Sequence, residues 1–321
     1  MLATDMARNL LAADIGESEA VDANALGAAE AEKTKPWHSY VPLVHSEARY
    51  RPDLLRDLPD ALINEELYLV YQPIIDLRSG HVIAAEALLR WQHPQHGLIT
   101  PDQFIPLVES AGLIRYIDEW VMNTASAQIQ AWGKAELPHI RVALNVSAGW
   151  FGAPGFVDSV QQALATHAVA PQHVVLEITE SKLLWQGKNT EHALRKLDEL
   201  GVGIAIDDFG TGYASLAYLQ LPMISYLKID QSFIAGLPDN ANDAAIATAL
   251  LALAKNLGLT AIAEGIETEE QRQFLLQADC EEGQGYLYSR PLVVADLECM
   301  LREQQSSADH VSLRHAQVGA V

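Results

Sequence analysis

Residues 174–209 read VVLEITESKLLWQGKNTEHALRKLDELGVGIAIDDF. Two short apolar runs, VVLEIT and GIAIDDF, flank a helical pattern from Glu191 to Leu200. Mostly apolar strands joined through a helix belong to a parallel sheet that helices cover on its outer face. Each run is broken by acid: Glu177 in the first, Asp207 and Asp208 in the second. An isolated carboxylate buried in such a strand costs several kcal/mol or takes up a proton, unless a cation or metal faces it.

The same texture extends both ways. YLVYQPIID, VIAAEALLRW, RVALNVS, YLKID, TAIAEGI and QGYLYS also read as strands. Helical patterns run over Phe104–Leu113, Ile117–Trp132, Ala244–Leu257 and Glu269–Ala278. Eight strands in roughly 250 residues predict a (β/α)8 TIM-like barrel; a doubly wound open sheet is the alternative. The first two strands flank Ser79-Gly80, a turn signal, so they are expected to form an antiparallel hairpin. Upstream, RPDLLRDLPDALIN is expected to be a helix with Leu54, Leu55, Leu58, Ala61 and Leu62 on one side.

The first 45 residues differ. They are rich in Ala and Glu, show no strand pattern, and include a linker-like AEAEKTKP. The expected organisation is an extension over residues 1–50, partly disordered or helical, a folded domain over 51–303, and a loose polar tail over 304–321. No candidate ligand lies in residues 1–45, so they are expected to be dispensable for chemistry.

Acidic residues outnumber basic ones 42 to 21, for a formal net charge of -21. That balance argues against polymeric nucleic acid, which needs clustered Lys and Arg. It leaves room for a small anionic ligand, because bound metal ions invert the local field. Cys280 and Cys299 make no disulfide framework, which fits a reducing compartment. Asp5, Asp14 and Glu17 interrupt any signal-peptide pattern, and the apolar stretch Ala244–Ala254 is too short to span a bilayer. The chain is expected to be cytoplasmic and free of the membrane.

Polar residues break nearly every predicted strand: Glu86, Asn145, Glu177, Asp207-Asp208, Lys228, Glu264 and Glu267. In a barrel of this kind the C-terminal ends of the strands carry the active site. Glu86, Asn145, Glu177 and Asp207 offer only oxygen, which suits Mg²⁺ or Mn²⁺ rather than zinc. Adjacent Asp207 and Asp208 could serve two ions. For any one of these residues an ion pair between barrel layers is an equal reading; for six on successive strands a shared site is the better one. Several other signals have blander readings. The DFG within DDFG lacks any accompanying kinase motif. His93 and His96 fit a turn after the second strand better than a metal site. Trp120 and Met122 fit a helix core.

YQPI, EALLRW, NVS, EITES, DDFGTGY, LKID, AEGIET and QGYLYSRP occur in this order, and over roughly residues 51–303 the chain resembles the EAL family. The resemblance implies a (β/α)8 barrel with one antiparallel strand and a cyclic di-GMP phosphodiesterase that yields linear pGpG. It implies that Glu86, Asn145, Glu177 and Asp207 hold a first metal, and Asp207 and Asp208 a second, with Glu264 nearby. Lys228 matches a residue contacting the attacking water, and Glu264 a base or water-orienting group. Gln284 matches a site residue supporting metal or water. Arg90 matches a cation facing a substrate phosphate, with Gln72, Arg290 and Pro291 as further substrate contacts. Glu180 matches a residue steadying the loop after Asp208, and Glu267 is a secondary candidate at the same mouth. Members commonly pair through the helix after DDFGTG, here YASLAYLQ, so a homodimer is expected. Ala214 and Ala217 stand where Ser is frequent, and Gly149-Trp150 where polar residues are common; neither departure touches a proposed metal ligand. The competing class is a catalytically silent receptor for the same dinucleotide.

Overall fold

The computed structural model describes residues 52–179, 187–210 and 219–318. Two compact units divide them. One comprises 52–67 and 91–113, the other 68–90 and the described residues from 114 onward.

The smaller unit begins with α1 (Pro52–Ile63), which buries Leu54, Leu58, Ala61 and Leu62 as its apolar spacing requires. The end of β2 (Val82–His93) enters this unit at Trp91. There it pairs antiparallel with β3 (Gly97–Ile99), ahead of α2 (Pro101–Ser110). Trp91 is fully buried, packs edge-on against Phe104 at 5.3 Å and donates its indole N–H to Glu66 Oε2 at 3.0 Å. His93 Nδ1 accepts the Gln95 N–H at 3.1 Å, which makes WQHPQHG a turn.

The larger unit is a closed eight-stranded barrel. β1 (Leu67–Asp76) pairs with β2 across a turn in which Gly80 takes φ +74. Parallel pairing then runs from β2 through β4 (Arg141–Asn145), β5 (Val174–Thr179), β6 (Gly203–Phe209), β7 (Tyr226–Ile229) and β8 (Thr260–Ala263) to β9 (Glu282–Gly283). β1 closes the ring antiparallel to β9, and is the one reversed strand of the barrel. The intervening helices are α3 (Ile114–Lys134), α4 (Phe156–His167), α5 (Gly187–Leu200), α6 (Ala241–Leu257) and α7 (Glu269–Gln277), with α8 (Val294–Val318) last. Met122 is buried in α3, as expected for a core residue. No helix among the described residues is long and apolar enough to cross a membrane.

Two expectations fail. QGYLYS is not a strand. The ladder stops at Gly283, and Tyr288 N–H turns back to Gly285 O at 3.1 Å. At Gly285 the chain passes so close to Ile266 that an added Cβ would lie 2.1 Å from its carbonyl oxygen, and Ile266 bonds Gln284 O and Leu287 N–H across this turn rather than along a regular ladder. The tail from residue 304 is not loose either, because α8 continues to Val318. Its Glu and Gln residues favour helix, and Gln304 ties it to the barrel by bonding both the N–H and the carbonyl of Val82.

The barrel floor is polar. Arg141 donates two bonds of 2.8 Å to the Glu282 carboxylate, donates to Tyr226 Oη, and lies over the Tyr226 ring at 4.8 Å. Glu282→Ala should cost about 3 kcal/mol, because it strands a largely buried guanidinium without its partner. Urea unfolding of the variant checks this, and an unchanged midpoint would show the pair to be incidental.

Candidate active site

Side chains on a strand alternate, so every second residue faces the barrel interior. Ile74, Ala84 and Ile262 pack there with Tyr226, as do Ala143, Val175 and Ala205. Two positions nearer the mouth, each of these strands carries a polar group. They are Glu86 after Ala84, Asn145 after Ala143, Glu177 after Val175, Asp207 after Ala205, Lys228 after Tyr226 and Glu264 after Ile262. Gln284 follows Glu282 by the same step, and on the reversed β1 it is Gln72 that precedes Ile74. The barrel thus changes from an apolar filling to a ring of eight polar residues within one side-chain layer.

Lys228 sits at the centre with 1% of its side chain exposed. Its Nζ lies 2.7 Å from Glu177 Oε2, 2.8 Å from Glu264 Oε1, 3.1 Å from Asp207 Oδ1 and 3.5 Å from Glu86 Oε2. Asn145 Nδ2 donates to Glu86 Oε1 at 2.8 Å. Gln284 Nε2 donates to Glu86 Oε2 at 2.9 Å and to Glu264 Oε1 at 3.1 Å. Burial opposes the charge on Lys228, yet the surrounding carboxylates hold its ammonium well above the usual lysine range. Burial likewise opposes charge on Glu86, but Lys228, Gln284 and Asn145 keep it below the usual carboxylate range. Glu177 is pushed well above that range by burial, which Lys228 offsets only in part. Burial raises Glu264 to about 7, against the pull of Lys228.

Adjacent residues on a regular strand point to opposite faces, so Asp207 and Asp208 need a special backbone to serve one site. The register supplies it. Ile206 pairs with Leu227 and Phe209 with Ile229, so the two aspartates oppose Lys228 alone. This is a β-bulge, a device that re-aims side chains. Asp208 takes φ +54, and its N–H donates to Asp207 Oδ1 at 3.0 Å. Asp207, Asp208 and Glu264 each bring a carboxylate oxygen within 4.8 Å of the others. On the next strand end, Gly265 takes φ +70, and a Cβ there would lie 2.5 Å from Gln231 Cβ. The turn carrying Glu264 is therefore seated directly on the chain that follows Lys228.

The donor set fits hard divalent cations. Four carboxylates share the one Lys228 ammonium, and burial, with the neighbouring acids adding to it, lifts both Glu177 and Glu264. Glu177 Oε1 and Gln284 Oε1 are buried with no hydrogen-bond partner among the described residues. Buried polar atoms ordinarily find partners, and an oxygen-only shell is what Mg²⁺ or Mn²⁺ prefers.

The cluster opens into a cleft of ≈ 240 Å³ whose lining includes Gln72, Gln231, Glu267 and Tyr286. Gln72 and Glu267 were expected at the site; Gln231 and Tyr286 were not. Tyr286 is 51% exposed, and Arg290 stacks on its ring at 4.2 Å. Its place in QGYLYSRP was the one signal available. Arg90 donates to Leu89 O at 2.8 Å and does not line the cleft. Pro291 does not line it either. Glu180 and most of the predicted dimer helix lie outside the described residues.

The model for the family described as EAL domain matches residues 55–291. The bifunctional diguanylate cyclase/cyclic di-GMP phosphodiesterase MucR of Pseudomonas aeruginosa is 45% identical over 254 residues, covering 79% of this chain and 37% of the relative. The cyclic di-GMP phosphodiesterase NbdA of the same organism is 44% identical over 252 residues, covering 78% and 32%. The chain therefore spans about a third of the length of these curated relatives. A solved complex of the PaMucR phosphodiesterase with c-di-GMP superposes with a TM-score of 0.73 at 46% identity, covering 76% of this chain and 99% of that one.

Proposed function

The chain belongs to the EAL domain family, and from that membership we propose that it hydrolyses one phosphodiester bond of cyclic di-GMP to give linear pGpG. The observation that carries this reading is the ring of oxygen donors around Lys228, with its excess of acid and its unpartnered Glu177 oxygen. The names of the relatives and of the solved complex supply the substrate class.

In this reading Glu86, Asn145, Glu177, Asp207 and Asp208 hold two divalent cations, Mg²⁺ or Mn²⁺. Such a pair, when bound, stabilises charge on the phosphodiester and lowers the pKa of water. Glu264 takes the proton of the attacking water, and a carboxyl near 7 suits that task at neutral pH. Lys228 and Gln284 fix the carboxylates that surround the water. Arg90 has the strand parity of Glu86, four residues nearer the mouth, and is the cation for a substrate phosphate. Gln72, Gln284, Arg290 and Pro291 contact the dinucleotide, while Glu180 and Glu267 steady the loops at the mouth. The catalytic domain is residues 51–303. Pairing of two chains through YASLAYLQ is part of the proposal, supported by the small apolar residues Ala214, Leu216 and Ala217. Sedimentation that finds a fully active monomer at assay concentration would remove it.

Incubation with cyclic di-GMP and Mg²⁺, followed by chromatographic separation of products, tests the activity. Accumulation of pGpG is the expected result. Tight binding without turnover in either Mg²⁺ or Mn²⁺ would make the chain a receptor instead. Ca²⁺ should bind yet support little turnover, because it prefers contacts of about 2.3–2.6 Å where Mg²⁺ takes about 2.0–2.1 Å. Equal rates with the two ions would contradict a site built for small cations.

A further inference from the structure

Asn145 is the last residue of β4, and the chain beyond it leaves the sheet. One backbone bond continues the ladder, from Val146 N–H to Glu177 O at 3.0 Å. The next residue is held from the opposite side. Asp118, on α3, accepts the Ser147 N–H on Oδ2 and the Ser147 hydroxyl on Oδ1, both at 3.0 Å. Ser147 O then accepts the N–H groups of Trp150 and Phe151, closing the turn. The two residues after Asn145 are thus clamped between a barrel strand and an outer helix.

We propose that Asp118 is a positioning residue for the divalent-cation site. By fixing both donors of Ser147, it sets the direction in which the chain leaves β4 and so the seat of Asn145. Asn145 bonds Glu86 through its nitrogen, so its side-chain oxygen is the atom that would serve a cation. A carboxylate suits the clamp because it accepts two bonds at once, and charged acceptors hold donors more firmly than neutral ones. Packing of α3 does not need it. Ile117, Val121, Met122, Ala125 and Trp132 anchor that helix in the core. Groups that orient a ligand from behind typically change metal affinity or activity 10–100-fold when altered.

This inference rests on the cation site proposed above, and its test separates the two. Mn²⁺ binding to the full chain is followed by the electron paramagnetic resonance of the free ion. Parent, Asp118→Asn, Ser147→Ala and the double variant are compared. Asp118→Asn keeps the size of the side chain and one acceptor oxygen, but loses the second acceptor and the charge. It should weaken Mn²⁺ binding by about 10-fold, raise the half-saturating Mn²⁺ for hydrolysis in step, and leave turnover at saturating Mn²⁺ within about 3-fold of the parent. Ser147→Ala removes one of the two bonds and should shift binding the same way by less. The double variant should be no worse than Asp118→Asn alone, because both changes break one contact. If Asp118→Asn does not fold, Ser147→Ala alone decides: an Mn²⁺ affinity equal to the parent's overturns the proposal. Asp118→Asn that folds and binds Mn²⁺ as the parent does also overturns it. A parent that takes up no Mn²⁺ overturns the cation site itself, and the role of Asp118 with it.

Discussion

Glu264→Gln is expected to slow single-turnover hydrolysis of cyclic di-GMP by about 10²–10⁴-fold, the usual cost of losing a general base. The substitution is conservative in every other respect. Glu264 Oε1 accepts from Lys228 at 2.8 Å and from Gln284 at 3.1 Å. The glutamine keeps an oxygen there, so the ring around Lys228 stays closed. What disappears is a carboxylate that burial raises to about 7, poised to gain a proton near neutrality. Cyclic di-GMP affinity should change far less than turnover, because Arg90 and the wall formed by Gln72 and Tyr286 remain. Calorimetry and single-turnover kinetics on the same preparations make the comparison. A variant that hydrolyses at the parent rate would strip Glu264 of its role. Affinity falling as far as the rate would make it a binding group instead.

Most of the site was legible because barrel chemistry follows strand periodicity. A carboxylate at Glu86, Glu177 or Asp207 interrupts a run of buried residues, and the period of two places all three on the inner face. The relation between Asp207 and Asp208 was not legible. Adjacent residues should face apart, and the bulge that unites them depends on how β6 pairs with β7, which is set by residues distant in sequence. The central place of Lys228 was hidden for a similar reason. Its four acidic neighbours come from four other strands. Asp118 looked like one more acid on a helix, since its partner Ser147 is 29 positions away. QGYLYS imitated a strand through its aromatic and β-compatible composition, but the chain there turns on itself, with the Tyr288 and Ser289 N–H groups bonded back to Gly285 O. The tail misread in the other direction: polarity suggested looseness, although its Glu and Gln content favours helix and Gln304 reaches Val82.

The charge balance around Lys228 leads to a second large effect. Lys228→Met keeps an unbranched side chain one atom shorter but leaves Glu86, Glu177, Asp207 and Glu264 facing one another with no buried cation. Removing one partner of a buried ionic cluster costs about 3–5 kcal/mol, and that loss should be read directly by urea unfolding in EDTA. The deficit should grow with pH. Glu264 and Glu177 already have folded-state pKa values above the ordinary glutamate range, so the folded protein holds more protons than the unfolded chain in the range above that ordinary value. Stability therefore falls as pH rises through that window. Without the ammonium the same carboxyls move higher still, which extends the fall upward. Mn²⁺ should reverse most of the loss, since an ion that binds only the folded state stabilises it in proportion to the logarithm of its concentration over Kd. Hydrolysis should stay low even then, because a methionine cannot fix the groups around the attacking water. Equal unfolding midpoints for parent and Lys228→Met in EDTA at pH 8 would mean that the carboxylates neutralise one another by sharing protons. In that case Lys228 would serve the reaction without holding the site together.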